Sequence, residues 1–343
     1  IKMNHPFVSA LLLEIAPTLG IRIELEPEFG FVGEIIFPDG KIHLFKNRNL
    51  NLNSSASSNI ANDKSYTNYF LRKKGFNVPQ GKTFFSERLN KNLYQENRRG
   101  IEEARQFAES LGLPVFVKPN DLSQGAWVTK VYDTPSMDVI CNHIFSCTDV
   151  LLVEQVCPGR DYRVVVLGET IISAYERIPL AVAGDGIRTI QQLLLDVQHT
   201  LPLHGRPNSE IDPDDPRIDI KLANLGLNRE SVLPAGQKTF LLDNANLSTG
   251  GTSMDVTDSI HKSFASLAIA ATASLGLCVA GVDIICHDLC TDAATQSWNI
   301  IEINAAPGLD NYAASGAEQR ERVKELYRRI LLQLQKGNTI TQY

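Results

Sequence analysis

Two short stretches in the last third of the chain decide the fold: AGVDII, residues 280–285, and NIIEINAAPG, residues 299–308. Side chains two residues apart on a strand point to the same face, so Glu302 and Asn304 project together. A preceding strand brings Asp283 beside them. Two carboxylates and an amide oxygen form the all-oxygen ligand set that Mg²⁺ takes while it keeps water and phosphate oxygens. The pattern predicts a metal-nucleotide site.

The composition is that of an ordinary globular protein. The chain has 343 residues, enough for one large or two to three small domains, and a formal net charge of -6. It has no basic stripe with interleaved aromatic residues, so nucleic acid is not an expected partner. No apolar run approaches the roughly 20 residues of a membrane span, and no signal peptide is evident. We therefore expect a cytoplasmic protein.

Six cysteines are present, and none forms a CxxC pair. The motif Cys286-His287-x-x-Cys290 fits no common zinc site, and no second ligand pair follows it. Free thiols in a reducing cytosol are the expected state.

The order of hydrophobic patterns predicts an α+β chain with mixed, largely antiparallel sheets. Strands are predicted at residues 21–26, 41–45, 76–85, 113–119, 128–132 and 149–156, and as a hairpin turning at 167–169. Helices are predicted at 63–75, 100–112, 189–198, 259–276 and 318–335. The Asn- and Ser-rich residues 47–62 are expected to be a linker or mobile loop, and 200–217 a loop. The expected division is 1–62, 63–157 and 158–343.

Two segments carry charged residues at strand ends. Lys118 ends the apolar run VFVKP, and the turn with Gly125 offers backbone N–H groups to phosphates. In LLVEQVCPGRDYRVVV, Glu154 is placed to accept from an adenine amino group, Asp161 to hold ribose, and Arg163 to reach phosphate oxygens. Each has an ordinary alternative when taken alone: a solvated lysine for Lys118, and a surface ion pair of Asp161 with Arg160 or Arg163.

The order of these motifs closely resembles the ATP-grasp fold, in which a nucleotide is held between two lobes built on mixed or antiparallel sheets, here preceded by a small N-terminal domain. The segments PGRDYRVVV, ERIPLAVAGDGIRTIQQLL, NLSTGGTSMDVTDSIH, GLCVAGVDII and EINAAPGL resemble the ATP-grasp part of the cyanophycin synthetase family. The resemblance spans about residues 63–311. NLSTGGT and EINAAPG are its most specific parts.

The resemblance implies a role for each matching position. Lys64 and Lys118 would contact the ATP phosphates, Glu154 and the backbone of Val156 the adenine, and Asp161 the ribose. Arg163 would approach the phosphates, and Asp283, Glu302 and Asn304 would hold Mg²⁺. The loop of Asn246, Ser248, Thr249, Gly250 and Gly251 would face the acceptor carboxylate or the transferred phosphoryl group.

Two further arginines, Arg177 and Arg217, are plausible carboxylate binders. For Arg177 the competing interpretation is an ion pair with Glu176 or Asp185. His261 opens a helix and is interpreted as structural.

The chain also departs from the family. The loop after the KP strand keeps Gly125 as its flexible residue and carries the bulky Trp127, so we expect a stiffer loop and a different substrate pocket. Cyanophycin synthetase has a Mur-ligase-like domain that adds a second amino acid, and this chain shows no such domain. One ligation step, without polymerisation, is the expectation.

The implied function is an ATP-dependent carboxylate–amine ligase that works through an acylphosphate on an amino acid, short peptide or small natural-product acid. ATP and Mg²⁺ are the implied cofactors, and a small-molecule acid and an amine the implied substrates. The alternatives are a small-molecule kinase of the same fold and a nucleotide-binding regulatory protein. Family habit also suggests a homodimer or higher homo-oligomer.

Overall fold

The computed structural model describes residues 5–122, 125–200 and 211–336. In this part of the chain helices are interspersed with strands that form four sheets, and every strand pairing is antiparallel. The predicted α+β class is therefore confirmed.

The helices, in chain order, are α1 Phe7–Ile15, α2 Ser55–Asn62, α3 Lys64–Lys73, α4 Glu87–Asn90, α5 Ile101–Leu111, α6 Thr134–Cys147, α7 Ile190–Thr200, α8 Pro216–Asn224, α9 Lys262–Ser274, α10 Asp310–Ala313 and α11 Ala317–Gln335. The strands are β1 Arg22–Leu25, β2 Val32–Ile36, β3 Ile42–Lys46, β4 Gly81–Phe85, β5 Val115–Pro119, β6 Thr129–Val131, β7 Val150–Gln155, β8 Arg160–Leu167, β9 Thr170–Ile178, β10 Ala181–Ala183, β11 Lys238–Phe240, β12 Thr252–Asp255, β13 Val279–Cys286 and β14 Trp298–Asn304.

A five-stranded sheet in the order β12-β9-β8-β13-β14 forms the centre of the fold. Strand β13 is buried along nearly its whole length, because it lies inside the sheet and is covered by α9. Its sequence accordingly reads as an almost continuous apolar run, which makes the single carboxylate of Asp283 conspicuous.

The other sheets each have their own apolar core. A four-stranded sheet, β4-β7-β5-β6, packs against α5 and α6. The small β1-β2-β3 sheet and α1 share a core with α11 and the β8-β9 hairpin. The two-stranded sheet β10-β11 packs with α7 and α8.

Local sequence explains where α3 begins. Asp63 caps it, since its carboxylate accepts a hydrogen bond from the backbone N–H of Tyr66 at 2.8 Å. The cap places Lys64 in the first turn, and the backbone N–H of Lys64 donates to the carbonyl of Asn120 beyond β5 at 3.2 Å. The predicted helix over 63–75 is confirmed.

The most informative difference concerns residues 47–62. They were expected to be a linker or mobile loop, but Ser55–Asn62 forms α2, which Ser54 caps by accepting from the N–H of Ser57 at 3.1 Å. Asn53 ties the preceding residues to the start of β13. Its amide group donates to the carbonyls of Val279 and Ala305 at 2.8 Å each and accepts from the N–H of Cys278 at 2.7 Å. The Asn and Ser residues of this segment therefore serve to cap a helix and to form long-range hydrogen bonds.

Other boundaries also shifted. Helix α6 was not predicted, residues 76–80 precede β4 without joining it, and α8 begins at Pro216, inside the segment expected to be a loop. The rest of that loop prediction, residues 201–210, lies outside the described residues. The division of the chain at residues 62 and 157 stays a prediction. In the described part of the chain, no helix combines the length and apolar character that crossing a membrane requires.

Candidate active site

The register of the central sheet brings three site residues side by side. Asp283 on β13 pairs with Glu302 on β14 and with Arg163 on β8. Directly opposite residues on neighbouring antiparallel strands have Cβ atoms about 4.5–5.5 Å apart. The predicted adjacency of Asp283 and Glu302 is confirmed.

Asp283 belongs to a buried ionic cluster with Asp161, Arg163 and Arg177. Arg163 donates from Nε and Nη2 to the two oxygens of Asp283, both at 2.7 Å. Arg177 donates from Nη2 to Asp283 at 2.9 Å and to Asp161 at 2.6 Å. Only 1% of the Asp283 side chain is exposed, so the two guanidinium groups replace its hydration.

This arrangement differs from both sets of ordinary ion pairs considered for these positions. Asp161 pairs with Arg177. The two arginines considered as its ordinary partners are paired elsewhere: Arg160 with Glu176, and Arg163 with Asp283. A single strand's sequence cannot reveal such pairing, because the partners come from neighbouring strands.

The cluster sets the charge state of Asp283. Burial by itself raises the pKa of this carboxyl, but the positive charges of Arg163 and Arg177 and their hydrogen bonds outweigh burial and hold the pKa below its ordinary value. Asp283 is therefore ionised at neutral pH.

Glu302 and Asn304 lie at the edge of this cluster. The ammonium group of Lys64 is 3.4 Å from a Glu302 oxygen, and it also donates to the carbonyl of Leu122 at 2.8 Å. A quarter of the Glu302 side chain is exposed, 26%. The Nδ2 atom of Asn304 is buried and has no hydrogen-bond partner among the described residues.

The three oxygen-bearing side chains fit a Mg²⁺ ion by chemistry. A carboxylate has about four lone-pair positions, and Asp283 uses three of them for its arginines, which leaves one. Glu302 is partly accessible. The unpartnered Nδ2 of Asn304 is a hydrogen-bond donor that a phosphate oxygen would satisfy, and Oδ1 is the atom of this side chain that would ligate the metal. An all-oxygen set of this size suits an ion that keeps several waters.

Lys118 and Glu154 form a second buried pair, on the four-stranded sheet. Lys118 Nζ lies 2.5 Å from Glu154 Oε2, and Asn68 on α3 donates to Glu154 Oε1 at 2.8 Å. Both charged side chains are less than a tenth exposed. Val156, the predicted backbone contact for adenine, follows directly after the last residue of β7.

Arg217 connects the loop after β5 to α8. Its guanidinium pairs with Asp215 and also donates to the carbonyl of Gly125 at 2.8 Å. It lies 5.8 Å from the ring centre of Trp127, which packs on His143. These contacts hold Gly125 and Trp127, and the stiffness of the loop stays a prediction.

The NLSTGG loop is built around two tight glycines. A Cβ on Gly251 would lie 2.7 Å from the carbonyl oxygen of Asn246 and 2.8 Å from that of Ile178. Gly250 has φ +90, which favours glycine. Ser248 Oγ is buried without a partner among the described residues, and Thr249 Oγ1 donates to the carbonyl of Asn246 at 3.2 Å. The loop leads into β12, the strand next to β9 in the central sheet. Ser253 on β12 pairs with Arg177 on β9, so the loop enters the sheet close to Arg177.

Three site residues were missed from the sequence. Asn68 is four residues after Lys64 on the same helix, a spacing that places both on one face. Asn244 stands two residues before Asn246 and donates to the carbonyl of Gly125 at 3.4 Å. Asn53 had no signal beyond its Asn-rich surroundings.

Two minor predictions have outcomes. His261 caps α9 by accepting from the backbone N–H of Ser263 at 3.3 Å, so its structural role is confirmed. All six cysteines are free thiols.

Comparisons with known proteins agree with this fold. Residues 70–185 match the family described as D-ala D-ala ligase C-terminus. The chain is 31% identical over 274 residues to the glutathione biosynthesis bifunctional protein GshAB of Mannheimia succiniciproducens, covering 76% of this chain and 34% of that protein. It is 31% identical over 271 residues to cyanophycin synthetase of Synechocystis, covering 74% and 28%.

A solved structure of a bifunctional glutathione synthetase from Pasteurella multocida superposes with a TM-score of 0.58 at 28% identity, covering 95% of this chain and 44% of that one. D-alanine–D-alanine ligase from Bacillus anthracis, at 15% identity and a TM-score of 0.50, shares the fold; the match covers 83% of this chain and 72% of that one. The chain spans about a third or less of the length of the curated relatives it matches.

Proposed function

Because this chain belongs to the ATP-grasp superfamily, we propose that it is an ADP-forming carboxylate–amine ligase that acts on an amino acid, a short peptide or another small acid. The names of its relatives support a synthetase or ligase activity. Because the chain covers only part of them, their individual substrates do not transfer to it.

The observation that carries the proposal is the convergence of opposite charges around Glu302. Asp283 lies opposite Glu302 across β13 and β14, two arginines hold Asp283, and Lys64 reaches Glu302 from α3. Ionised oxygens beside fixed cations are the requirement for binding and transferring a phosphoryl group.

The nucleotide would be held from both sheets. In the proposal Lys64 and Lys118 contact the phosphates, Glu154 and the Val156 backbone contact adenine, and Asp161 contacts ribose. Lys118 and Glu154 are paired in the structure, as are Asp161 and Arg177, so nucleotide binding exchanges these internal contacts for contacts to ATP. After the exchange Lys118 would face the phosphate charge, while Glu154 and Asp161 would accept hydrogen bonds from the adenine amino group and the ribose hydroxyls.

Mg²⁺ would be held by Asp283, Glu302 and Asn304, and when bound it supplies neutralisation of the phosphate charge. The remaining chemistry belongs to the chain. An oxygen of the substrate carboxylate attacks the γ-phosphorus and ADP leaves. Arg163 and Arg177 would supply positive charge beside the moving phosphoryl group.

The acylphosphate then meets the amine. The amine nitrogen attacks the carbonyl carbon, inorganic phosphate leaves and the nitrogen loses a proton. The chain's part is to orient the two reactants and to keep water away, because water would hydrolyse the acylphosphate. The NLSTGG loop, next to Arg177, and the Gly125 turn held by Arg217 are the proposed cover.

The test is ADP release in the presence of Mg-ATP, with amino acids and short peptides offered in pairs as acid and amine, and mass detection of products. The proposal expects ADP only when both partners are present, with a product lighter than their sum by one water. ADP with one acid alone and a stable phosphorylated product would instead identify a kinase. Binding of ATP with no turnover across the panel would contradict the ligase assignment.

A further inference from the structure

A cavity of about 110 Å³ lies where residues 48–62, which follow the small N-terminal sheet, meet Val279 at the start of β13. One wall is formed by residues 48–62, a second by residues 305–309 after β14, and a third by α11. A cavity needs on the order of 10–15 Å³, measured with a water-sized sphere, to hold one water. This one has room for several heavy atoms of a ligand.

Arg48 supplies the positive charge of this cavity. It is half-buried, and its Nη1 lies so close to Gly308 that a Cβ on that glycine would be 2.2 Å away. Asp310 Oδ1 is 3.6 Å from the same Cβ position, so an acidic side chain lies nearby. A guanidinium group has five N–H donors, more than one carboxylate uses, and it binds a second carboxylate in its planar fork.

The remaining lining is of two kinds. Leu50, Leu52 and Leu309 give an aliphatic wall, while Asn49 and Asn62 add polar groups. A pocket with one cationic end and an aliphatic wall recognises a molecule that carries a carboxylate next to an apolar chain.

The pocket is formed before any ligand arrives. The four hydrogen bonds of Asn53, two donated to the carbonyls of Val279 and Ala305 and two accepted from the N–H groups of Cys278 and Val279, fix the linker against β13. Preorganised walls lower the entropy cost of binding.

The pocket adjoins the proposed reaction centre through the chain itself. Asn62 is two residues before Lys64, whose ammonium lies 3.4 Å from Glu302, and Ala305 directly follows Asn304. A molecule in this pocket would contact Ala305, the residue directly after the proposed metal ligand Asn304.

We propose that this pocket is a substrate subsite in which Arg48 binds the carboxylate of an aliphatic α-amino acid or of a peptide ending in one, so that the N-terminal segment selects the substrate. The inference rests on the proposed ligase function for the identity of the ligand. Occupancy of the pocket itself is measurable without turnover.

The first test is binding without ATP. Calorimetry with alanine, valine and leucine, and with the three corresponding amides, compares the wild type with Arg48→Met. At least one of the acids is expected to bind the wild type, with its amide at least about 10-fold weaker and with a similar loss in Arg48→Met. Arg22→Met, at an exposed ion pair on the same small sheet, is the matched control and keeps full affinity. Acids and amides that bind alike, no binding by any acid, or an unchanged Arg48→Met, would overturn the subsite.

The second test separates this inference from the ligase proposal. In the ADP-release assay, Arg48→Met is expected to raise the KM for the aliphatic substrate at least about 10-fold while the KM for ATP stays unchanged. Turnover with an unaltered KM in Arg48→Met would overturn the subsite and leave the ligase standing. If the protein binds the acids through their carboxylates but turns over no acid–amine pair, the subsite proposal stands and the ligase proposal is overturned.

Discussion

Arg163 and Asp283 face each other across β8 and β13 and form two parallel hydrogen bonds of 2.7 Å, almost wholly out of water. A bidentate pair of this kind fixes both side chains in one geometry. Arg177 donates to the same carboxylate, so the negative charge of Asp283 is held by two cations. The pair is at once part of the core and part of the proposed site, which constrains how the site is tested.

Arg163→Met is expected to lower the free energy of unfolding by about 3–5 kcal/mol, because it leaves a buried carboxylate with one cation in place of two. Chemical denaturation measures the change. Arg188→Met is the control, since Arg188 forms exposed pairs worth about 0–1 kcal/mol. A loss no larger than that of the control would contradict the inferred burial of charge.

The same variant has a defined pH dependence. In the folded wild type the pKa of Asp283 is held below its ordinary value, so its contribution to stability is present above that value and is lost as pH falls through the folded pKa. Arg163→Met removes one of the two arginines that lower the pKa of Asp283, so the carboxyl takes up its proton at a higher pH than in the wild type. The stability gap between wild type and Arg163→Met should therefore narrow from about pH 7 to about pH 4. A gap that widens over this interval would contradict the assignment.

Glu302→Gln is the cleaner probe of the metal site. Glu302 is partly exposed and contacts Lys64 at 3.4 Å, so we expect little change in unfolding and a fall in turnover of at least about 100-fold. Asp283→Asn is expected to abolish turnover too, but it also removes the anion paired with Arg163 and leaves Arg177 with Asp161 alone, so it should destabilise the fold. Full activity in Glu302→Gln would remove it from the metal set.

Lys118→Met is expected to weaken ATP binding at least about 10-fold, because it removes a proposed phosphate contact and leaves the buried carboxylate of Glu154 without its cation. Fluorescence or calorimetric titration with a non-hydrolysable ATP analogue measures it. Lys82→Met, an exposed position on β4 of the same sheet, should bind as the wild type does. Equal affinities in both variants would place Lys118 outside the site.

The cysteines should differ in reactivity in the native protein. Burial raises the pKa of the Cys141 thiol to about 12, whereas Cys147, at the end of the same helix α6, is exposed. Because the thiolate is the reactive form, iodoacetamide should alkylate Cys147 quickly at neutral pH and Cys141 only after unfolding. Peptide mass mapping reads both sites in one sample. Rapid alkylation of native Cys141 would show that α6 does not pack as described.

The two-residue period of a strand was enough to predict that Glu302 and Asn304 share a face, and the β13–β14 register bears out the position of Asp283. The pairing of Arg177 with Asp161 and Asp283 was not predictable, since it depends on the register of three strands at once. Lys118 and Glu154 were both singled out, yet their contact arises because β5 and β7 are neighbours in space. The sequence holds the residue types, while the sheet order determines which charges meet.

In the N-terminal segment, by contrast, the sequence carries no indication of the residues that matter. Residues 47–62 have a composition typical of loops, and local patterns give no reason to expect that Asn53 bonds to residues more than 200 positions away. Propensity describes what a segment does alone, and long-range hydrogen bonds override it here. The proposed substrate pocket lies in this segment, which explains why it had no sequence motif.

The central claim is that an acid is activated by phosphorylation before the amine attacks it. The most direct measurement uses the acid identified by the substrate panel, labelled with ¹⁸O in its carboxylate, and follows the label during amide formation. The account predicts that one labelled oxygen appears in the released inorganic phosphate for each amide formed. Amide formation with no label in the phosphate would contradict it.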